Sequence, residues 1–229
     1  QAREDDKLEV KRAYMGLAIK YGDKSEVIPV VQQTQKLEYD LTTLIRKLTR
    51  VKTPKIIIAR AEGSLDVEKE AGRIYGLLGQ LYDVSTQDLN TDSALGEDVD
   101  GIVVLGGKEP FTEDAQKSID QFVVSGRSAA FLMDSIKPEL STLQSEDANH
   151  GLHDLLSRYG VQIESGLALD VACATMTVQR QQGFMRIAQP VQFPFIPMAQ
   201  PTDPDRPLTR GMSEGALPFT SPLTINVGE

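Results

Sequence analysis

A single cysteine, two histidines and no tryptophan occur in 229 residues. The lone thiol, Cys173, can close no disulfide within the chain and leaves no cysteine-rich zinc site. Two histidines supply too little for a His-based metal cluster. No apolar run approaches the ~18 residues that span a bilayer, and the first residues carry no signal-peptide pattern. Cations are the scarcer charge: 24 lysines and arginines against 33 aspartates and glutamates leave a net −9. Nucleic-acid backbones are neutralised by clustered cations, so this balance speaks against nucleic acid as a partner. What remains, 40% hydrophobic and 25% charged residues, is the composition of a folded domain. With ~150 residues per domain as a guide, the length holds one good core and room for a smaller unit.

The chain opens on Gln1, and residues 1–12 are mostly charged. Together with a strand-like run from Leu223 to Val227 that stops almost at once, this reads as a soluble piece excised from a longer protein; a processed natural domain is the alternative. Residues 13–20 and 25–31 are strand-like and flank Tyr21-Gly22-Asp23-Lys24, a β-hairpin pattern in which Pro29 marks an edge strand. From Lys36 to Arg50 the period becomes helical, with Leu37, Leu41, Leu44, Ile45 and Leu48 on one face. Thr53-Pro54 stops it.

A β/α alternation follows. Ile56-Ile57-Ile58 is a β-branched run without polar alternation, as in a strand covered on both faces. Val67, Ala71, Ile74, Tyr75 and Leu78 predict a helix with acidic residues at its start. A strand at 81–86, a polar stretch 87–98 with room for one helical turn, and a buried-type strand Gly101–Leu105 come next. Thr112 can cap a helix with Ala115, Ile119, Phe122 and Val123 on its apolar face, and Gly126 sits where the chain turns out of it. Ser128–Met133 reads as a third buried-type strand, and a helix at 151–159 with a strand at 161–164 would extend the sheet. The layer rule makes this an α/β, doubly wound, mostly parallel, flavodoxin-like sheet. The expected division is a hairpin over 1–35, the tail of an upstream domain; an α/β domain over 36–170; and a hairpin with a Pro-rich extension over 171–229. That extension holds eight of the twelve prolines between Pro190 and Pro222, interspersed with Phe193, Phe195, Ile196 and Phe219, and so reads as an ordered segment packed on a surface rather than a free linker.

In open α/β sheets ligands bind beyond the carboxyl ends of the strands. Three loops lie there: Arg60 to Ser64, Gly106 to Pro110, and Asp134 to Lys137. Arg60, Glu62, Gly106, Gly107, Glu109, Asp134 and Ser135 are the candidate ligand-binding residues, and plain surface turns are the alternative reading. The order GIVVLGG, helix, SAAFLMDS is similar to the class I glutamine amidotransferase arrangement, where a nucleophilic cysteine sits on the sharp turn after the second strand. Here that place holds Asp134 and Ser135, Cys173 lies about forty residues later, and Ser135 lacks the G-x-S-x-G elbow. An amidotransferase-like fold without the amidotransferase chemistry is the expectation. His150 and His153, three apart, read as polar residues at a helix start; no third ligand with metal spacing accompanies them. Gly101 to Lys108 falls short of a Walker sequence, and no cofactor or metal is expected.

Several stretches taken in order resemble the GldG-type auxiliary component of ABC transporters, the gliding-motility-associated family. They are GLAIKYGDKSEVIPVV, LEYDLTTLIRKL, KIIIA, VDGIVVLGGKEPFTEDAQKSIDQFVVSGRSAAFLMD, GLHDLLSRYGVQIESGLALD, ACATM and RPLTRGM with LPFTSPL. The resemblance covers nearly the whole chain. It implies an extracytoplasmic (periplasmic) domain tethered by transmembrane helices outside this chain and associated with an ABC-2-type permease and its ATPase. It also implies an upstream thioredoxin-like unit, and a sheet domain related to a module of intraflagellar-transport proteins. Many members carry a histidine in the loop after the first sheet strand; Arg60 to Ser64 has none, which weakens any ligand role for that loop. The family brings no catalytic residues. The expected function is therefore a non-catalytic module that binds a partner protein or a cell-surface polymer. A carbohydrate or small-ligand domain using the strand-end loops is the alternative, and a hydrolase using Ser135 or the histidines is a third.

Overall fold

The computed structural model describes residues 15–31, 34, 37–139, 142, 144–182, 185–203, 206, 209 and 212–226. The charged residues 1–12, Gly183 in the expected turn, Arg210-Gly211 and Val227 fall outside them. The hairpin is β1 (Leu17–Tyr21) and β2 (Lys24–Ile28), antiparallel, with Tyr21 opposite Lys24. Helix α1 (Leu37–Thr49) starts with Glu38 and Asp40 and ends with Arg46 and Lys47, charges that suit its dipole. Lys47 Nζ reaches Glu26 at 2.7 Å and ties helix to hairpin.

The β-branched run forms β3 (Lys55–Arg60). The helix expected as one piece is two, α2 (Val67–Glu70) and α3 (Gly72–Gly79), because Ala71 leaves helical geometry at φ −128°. Asp66 caps α2, its carboxylate accepting from Lys69 N. Then come β4 (Asp83–Asp88), β5 (Gly101–Leu105), α4 (Glu113–Val124) and β6 (Ser128–Leu132). Thr112 caps α4 by accepting from Ala115 N, and Gly126 lies beyond it at φ 83°. The four strands form one parallel sheet in the order β4-β3-β5-β6.

Successive residues of the central strands feed opposite layers, as the pleat requires. Ile57, Ala59, Ile102 and Val104 pack with Phe111, Ile119, Phe122 and Leu152 in the larger core cluster. Ile58 and Leu105 join Val67, with Tyr75 and Val84 against them, in the smaller one. β6 is a correction: it alternates exposed and half-buried residues instead of being buried throughout. Among the described residues it pairs with β5 alone, and Ser128, Ala130 and Leu132, which share one face, are exposed.

Past β6 the architecture departs from expectation. β7 (Ile136–Glu139) and β8 (Gln144–Asp147) form an antiparallel hairpin. Helix α5 (His153–Arg158) leads to β9 (Val161–Ile163). β10 (Cys173–Gln182) and β11 (Met185–Ala199) form a long antiparallel ribbon, with β12 (Gly215–Ala216) on the far end of β11. Finally, β13 (Leu223–Ile225) pairs antiparallel with β9. The expected doubly wound, mostly parallel, amidotransferase-like or flavodoxin-like sheet is therefore wrong. Among the described residues nine of thirteen strands sit in four separate antiparallel sheets, and only four are parallel. The physical reason lies at β9: it was expected to join the sheet's edge, yet its backbone groups are taken by β13 from the chain's end. Three prolines fall within β11, so the Pro-rich stretch is more regular than anticipated.

Two side-chain contacts hold the α5 region to the sheet. Tyr159 Oη donates to Asp120 Oδ1 on α4, and burial, then this bond, pushes its phenol up to about 12. Leu152 and Leu155 enter the larger core. No helix among the described residues is long and apolar enough to cross a membrane.

Phe122 has no exposed surface. Phe122→Ala should lower stability by about 3–5 kcal/mol, whereas Thr112→Ala at the α4 cap should cost about 1 kcal/mol. Chemical denaturation followed by circular dichroism measures both.

Candidate functional site

The carboxyl ends of β3, β5 and β6 bring the three expected loops together. Arg60 ends β3 and its carbonyl accepts from Leu89 N at 3.0 Å. The next loop is drawn tight by Ser64, whose Oγ accepts from Ala61 N at 3.1 Å and donates to Leu105 O at 3.3 Å. Glu62 contributes through its backbone: its carbonyl accepts from Lys108 N at 3.0 Å and Glu109 N at 3.2 Å, while its side chain is exposed. This bond pair requires Gly107. A Cβ there would lie 2.7 Å from Glu62 O and 2.8 Å from Ser64 Oγ, closer than atoms pack. Lys137 Nζ donates to Gly107 O at 2.7 Å and brings β7 onto the same bend.

The third loop is held by a histidine that the sequence reading treated as a helix-start residue. His150 is 2% exposed. Its Nε2 lies 2.7 Å from Asp134 O, and since a carbonyl only accepts, Nε2 carries the proton. Its own carbonyl accepts from Phe111 N at 3.0 Å. The ring lies over Gly106, where a Cβ would meet Cε1 at 2.7 Å. One residue thus braces the chain after β5, the chain after β6 and the approach to α4. Nδ1 is buried and meets no partner among the described residues. Burial first, then the nearby Lys137 and His153 charges, hold this imidazole below its usual range, against the opposing pull of the Asp134 carbonyl. His153 stacks parallel to it, ring centres 6.3 Å apart.

Ser135 is buried, and its hydroxyl is engaged by Glu164 O at 2.9 Å and Ser221 Oγ at 2.5 Å. Its carbonyl accepts from Ala148 N. Ser135 and His153 both line a cavity of about 250 Å³ with Asp147, Asn149 and Ser165, yet no hydrogen bond joins the serine to either histidine. Among the described residues no group of three or more histidine, cysteine, aspartate or glutamate side chains is placed to hold a metal. Cys173 is half-buried at the start of β10, remote in sequence from these loops. The seven candidate residues therefore stand as follows: Gly106, Gly107, Asp134 and Ser135 are tied into the clasp, Glu62 and Glu109 join it by backbone groups, and Arg60 borders it. His150 is the residue that sequence reasoning missed. Its only signal was a histidine beside glycine, which does not say which strand end it would meet.

His150 makes stability depend on pH in a defined sense. The folded chain resists protonating it, whereas the unfolded chain does so near 6.5. The stabilisation is whole above about 6.5 and is lost as pH falls towards the depressed folded value. His150→Leu, which has no donor for Asp134 O, should be less stable at pH 7.5 by about 1–3 kcal/mol through the lost bond. The gap to wild type should narrow by pH 5, as read by urea titrations at both pH values.

Comparison with known proteins adds an assignment to this geometry. An uncharacterized protein of Borreliella burgdorferi (strain ATCC 35210 / DSM 4680 / CIP 102532 / B31) is 24% identical over 231 residues, covering 97% of this chain. The chain spans 44% of that relative's length. Among solved structures, the mmIFT52 N-terminal domain is similar at 14% identity with a TM-score of 0.49, over 75% of this chain and 68% of that one. Residues 53–229 match the family described as an ABC-type uncharacterized transport system. The chain belongs to this family of auxiliary components of ABC transport systems.

Proposed function

We propose that the chain is a non-catalytic, extracytoplasmic domain of a GldG-type auxiliary subunit, and that it works by binding a protein partner, the ABC-2-type permease that carries the ATPase on its other side. Membership of an ABC transport family supports the setting. The observation that carries the mode of action is the self-satisfied clasp. The crevice where an α/β sheet ordinarily receives a ligand is filled by the chain's own bonds, from Glu62 O to the amides of Lys108 and Glu109, from Lys137 to Gly107 O, and from His150 to Asp134 O. The Ser135 hydroxyl has the partners of a structural serine, a carbonyl and a second hydroxyl, and among the described residues no histidine is hydrogen-bonded to it. A rigid clasp of this kind presents surface instead of chemistry. Tethering by transmembrane helices beyond this chain and a periplasmic position belong to the same proposal, as does a cell-surface polymer as the alternative partner.

A second reading, a small polar ligand, is favoured by the cavity of about 250 Å³ that Ser135, Asp147, Asn149 and His153 line beside the clasp. It would place the ligand next to the third loop instead of between all three.

Affinity purification of the full-length membrane protein should recover a permease and an ATPase in stoichiometric amounts. Recovery of neither would overturn the transporter-partner reading. Retention on a cell-surface polysaccharide resin in their absence would transfer the proposal to the polymer.

A further inference from the structure

Away from the clasp, three phenylalanines from two parts of the Pro-rich segment meet. Phe193 and Phe195 on β11 lie 5.5 Å apart, and Phe219 sets its ring edge-on to Phe193 at 6.0 Å. With Leu167 they line a cleft of about 400 Å³ whose other wall is the β7–β8 hairpin, reaching Pro138 and Ser145. Phe219 has φ +54°, a left-handed conformation that bulky side chains rarely adopt. Its amide donates to Phe195 O at 2.9 Å, so the strain is held in place and aims an aromatic ring at the cleft. Phe195 remains 38% exposed, leaving an apolar wall open.

Among the described residues, the hairpin beside this cleft has one edge without a strand partner. Ala148 N donates to Ser135 O, and the register continues as Ile136 opposite Asp147 and Pro138 opposite Ser145. In an antiparallel ladder bonded and non-bonded pairs alternate. The Lys137–Glu146 pair therefore faces inward, while Ser145 and Asp147 turn their amides and carbonyls away from β7. On β7 the outward positions are Ile136 and Pro138, and Pro138, having no N–H, blunts its part of that edge. β8 has no second strand neighbour among the described residues, and all four of its residues are exposed. The outer edge of β8 also carries the exposed acids Glu146 and Asp147, on a chain of net charge −9.

We propose that this cleft receives an extended, cationic polypeptide segment, which adds a strand to the outer edge of β8 and seats one apolar side chain among Phe193, Phe195 and Phe219. Main-chain pairing gives such an interaction its affinity, the pocket selects the anchor side chain, and Glu146, on the opposite face of β8 from Ser145, selects the lysines or arginines that alternate with the anchor. The site names the chemistry of the protein partner proposed above and rests on that reading.

The test uses the whole chain and a blocked, fluorescent heptapeptide of alternating lysine and valine with a central phenylalanine, titrated by anisotropy. Saturable binding is expected. Ser145→Pro, which removes the outward amide, and Phe195→Ser, at a partly exposed ring, should each weaken it by about tenfold or more. Ser145→Ala should leave it unchanged, and hydrogen exchange should slow at Ser145 and Asp147 on binding. Circular dichroism checks that the variants fold. The same peptide with its backbone amides N-methylated should lose binding, and neither it nor the exchange measurement needs a variant. Undiminished binding by both variants, by the N-methylated peptide, or by a peptide with glutamate in place of lysine would overturn the proposal, as would no binding at all. Self-association abolished by Phe195→Ser without peptide binding would make a second copy the occupant and overturn it too. The peptide contains no transporter component, so its failure removes this site alone, and failed co-purification removes the partner assignment alone.

Discussion

A parallel sheet ends in backbone groups that its own ladder cannot take up, and loops that leave it must find partners for them or remain in water. In this protein the partners are supplied internally, and His150 is the residue on which the arrangement depends. Its imidazole takes the carbonyl after β6, its ring occupies the space that Gly106 leaves after β5, and its own carbonyl takes the amide of Phe111 before α4. The Glu62 carbonyl does the same between the β3 and β5 ends. The His150 bond, made by a buried side chain, is the costliest of these to leave unmade. The strand ends are thus tied to one another by the chain's own hydrogen bonds.

That closure directs attention to the perimeter. The long segment after Ile163 returns to the body at two places, through the β9–β13 pairing and through Ser221 on Ser135. In doing so it builds an aromatic wall opposite the β7–β8 hairpin. Among the described residues the hairpin there is blunted on one side by Pro138 and has no strand partner beyond Ser145 and Asp147 on the other. The acidic balance then has a local meaning, since Glu146 and Asp147 lie exposed on that edge.

Much of the central fold was legible. Ile56-Ile57-Ile58 and Gly101–Leu105 read as strands buried on both faces because β-branched residues without polar alternation have no other soluble use, and both faces are in fact covered. The Thr112 cap and the apolar face of α4 were equally plain, since caps and helical spacing are local properties. The break at Ala71 was not, because the apolar spacing runs through it unchanged. Nor was β6, where small apolar residues fit an edge as well as an interior. The loops of the candidate site could be located by the end-of-strand rule, but what fills them could not. Glu62 acts through a carbonyl that every residue possesses, and His150 reaches Asp134 across sixteen residues of chain.

By itself, the sequence determined the elements whose signals are local: the hydrophobic period of the strands and helices, the caps, the charge balance, and the absence of a cysteine where an amidotransferase would need one. The ordered motifs also pointed to the transport family that residues 53–229 match. Tertiary structure alone decided which strands pair. β9 could have extended the parallel sheet or paired with another segment, and its three residues carry the same pattern in either place. The choice fell to β13, sixty residues away, whose approach is set by Asn226 N on Gly160 O and by Glu164 N on Pro222 O. Partner choice between backbone groups leaves no mark in side-chain chemistry, and so the antiparallel periphery, the closed clasp and the aromatic cleft emerged only when the chain had folded.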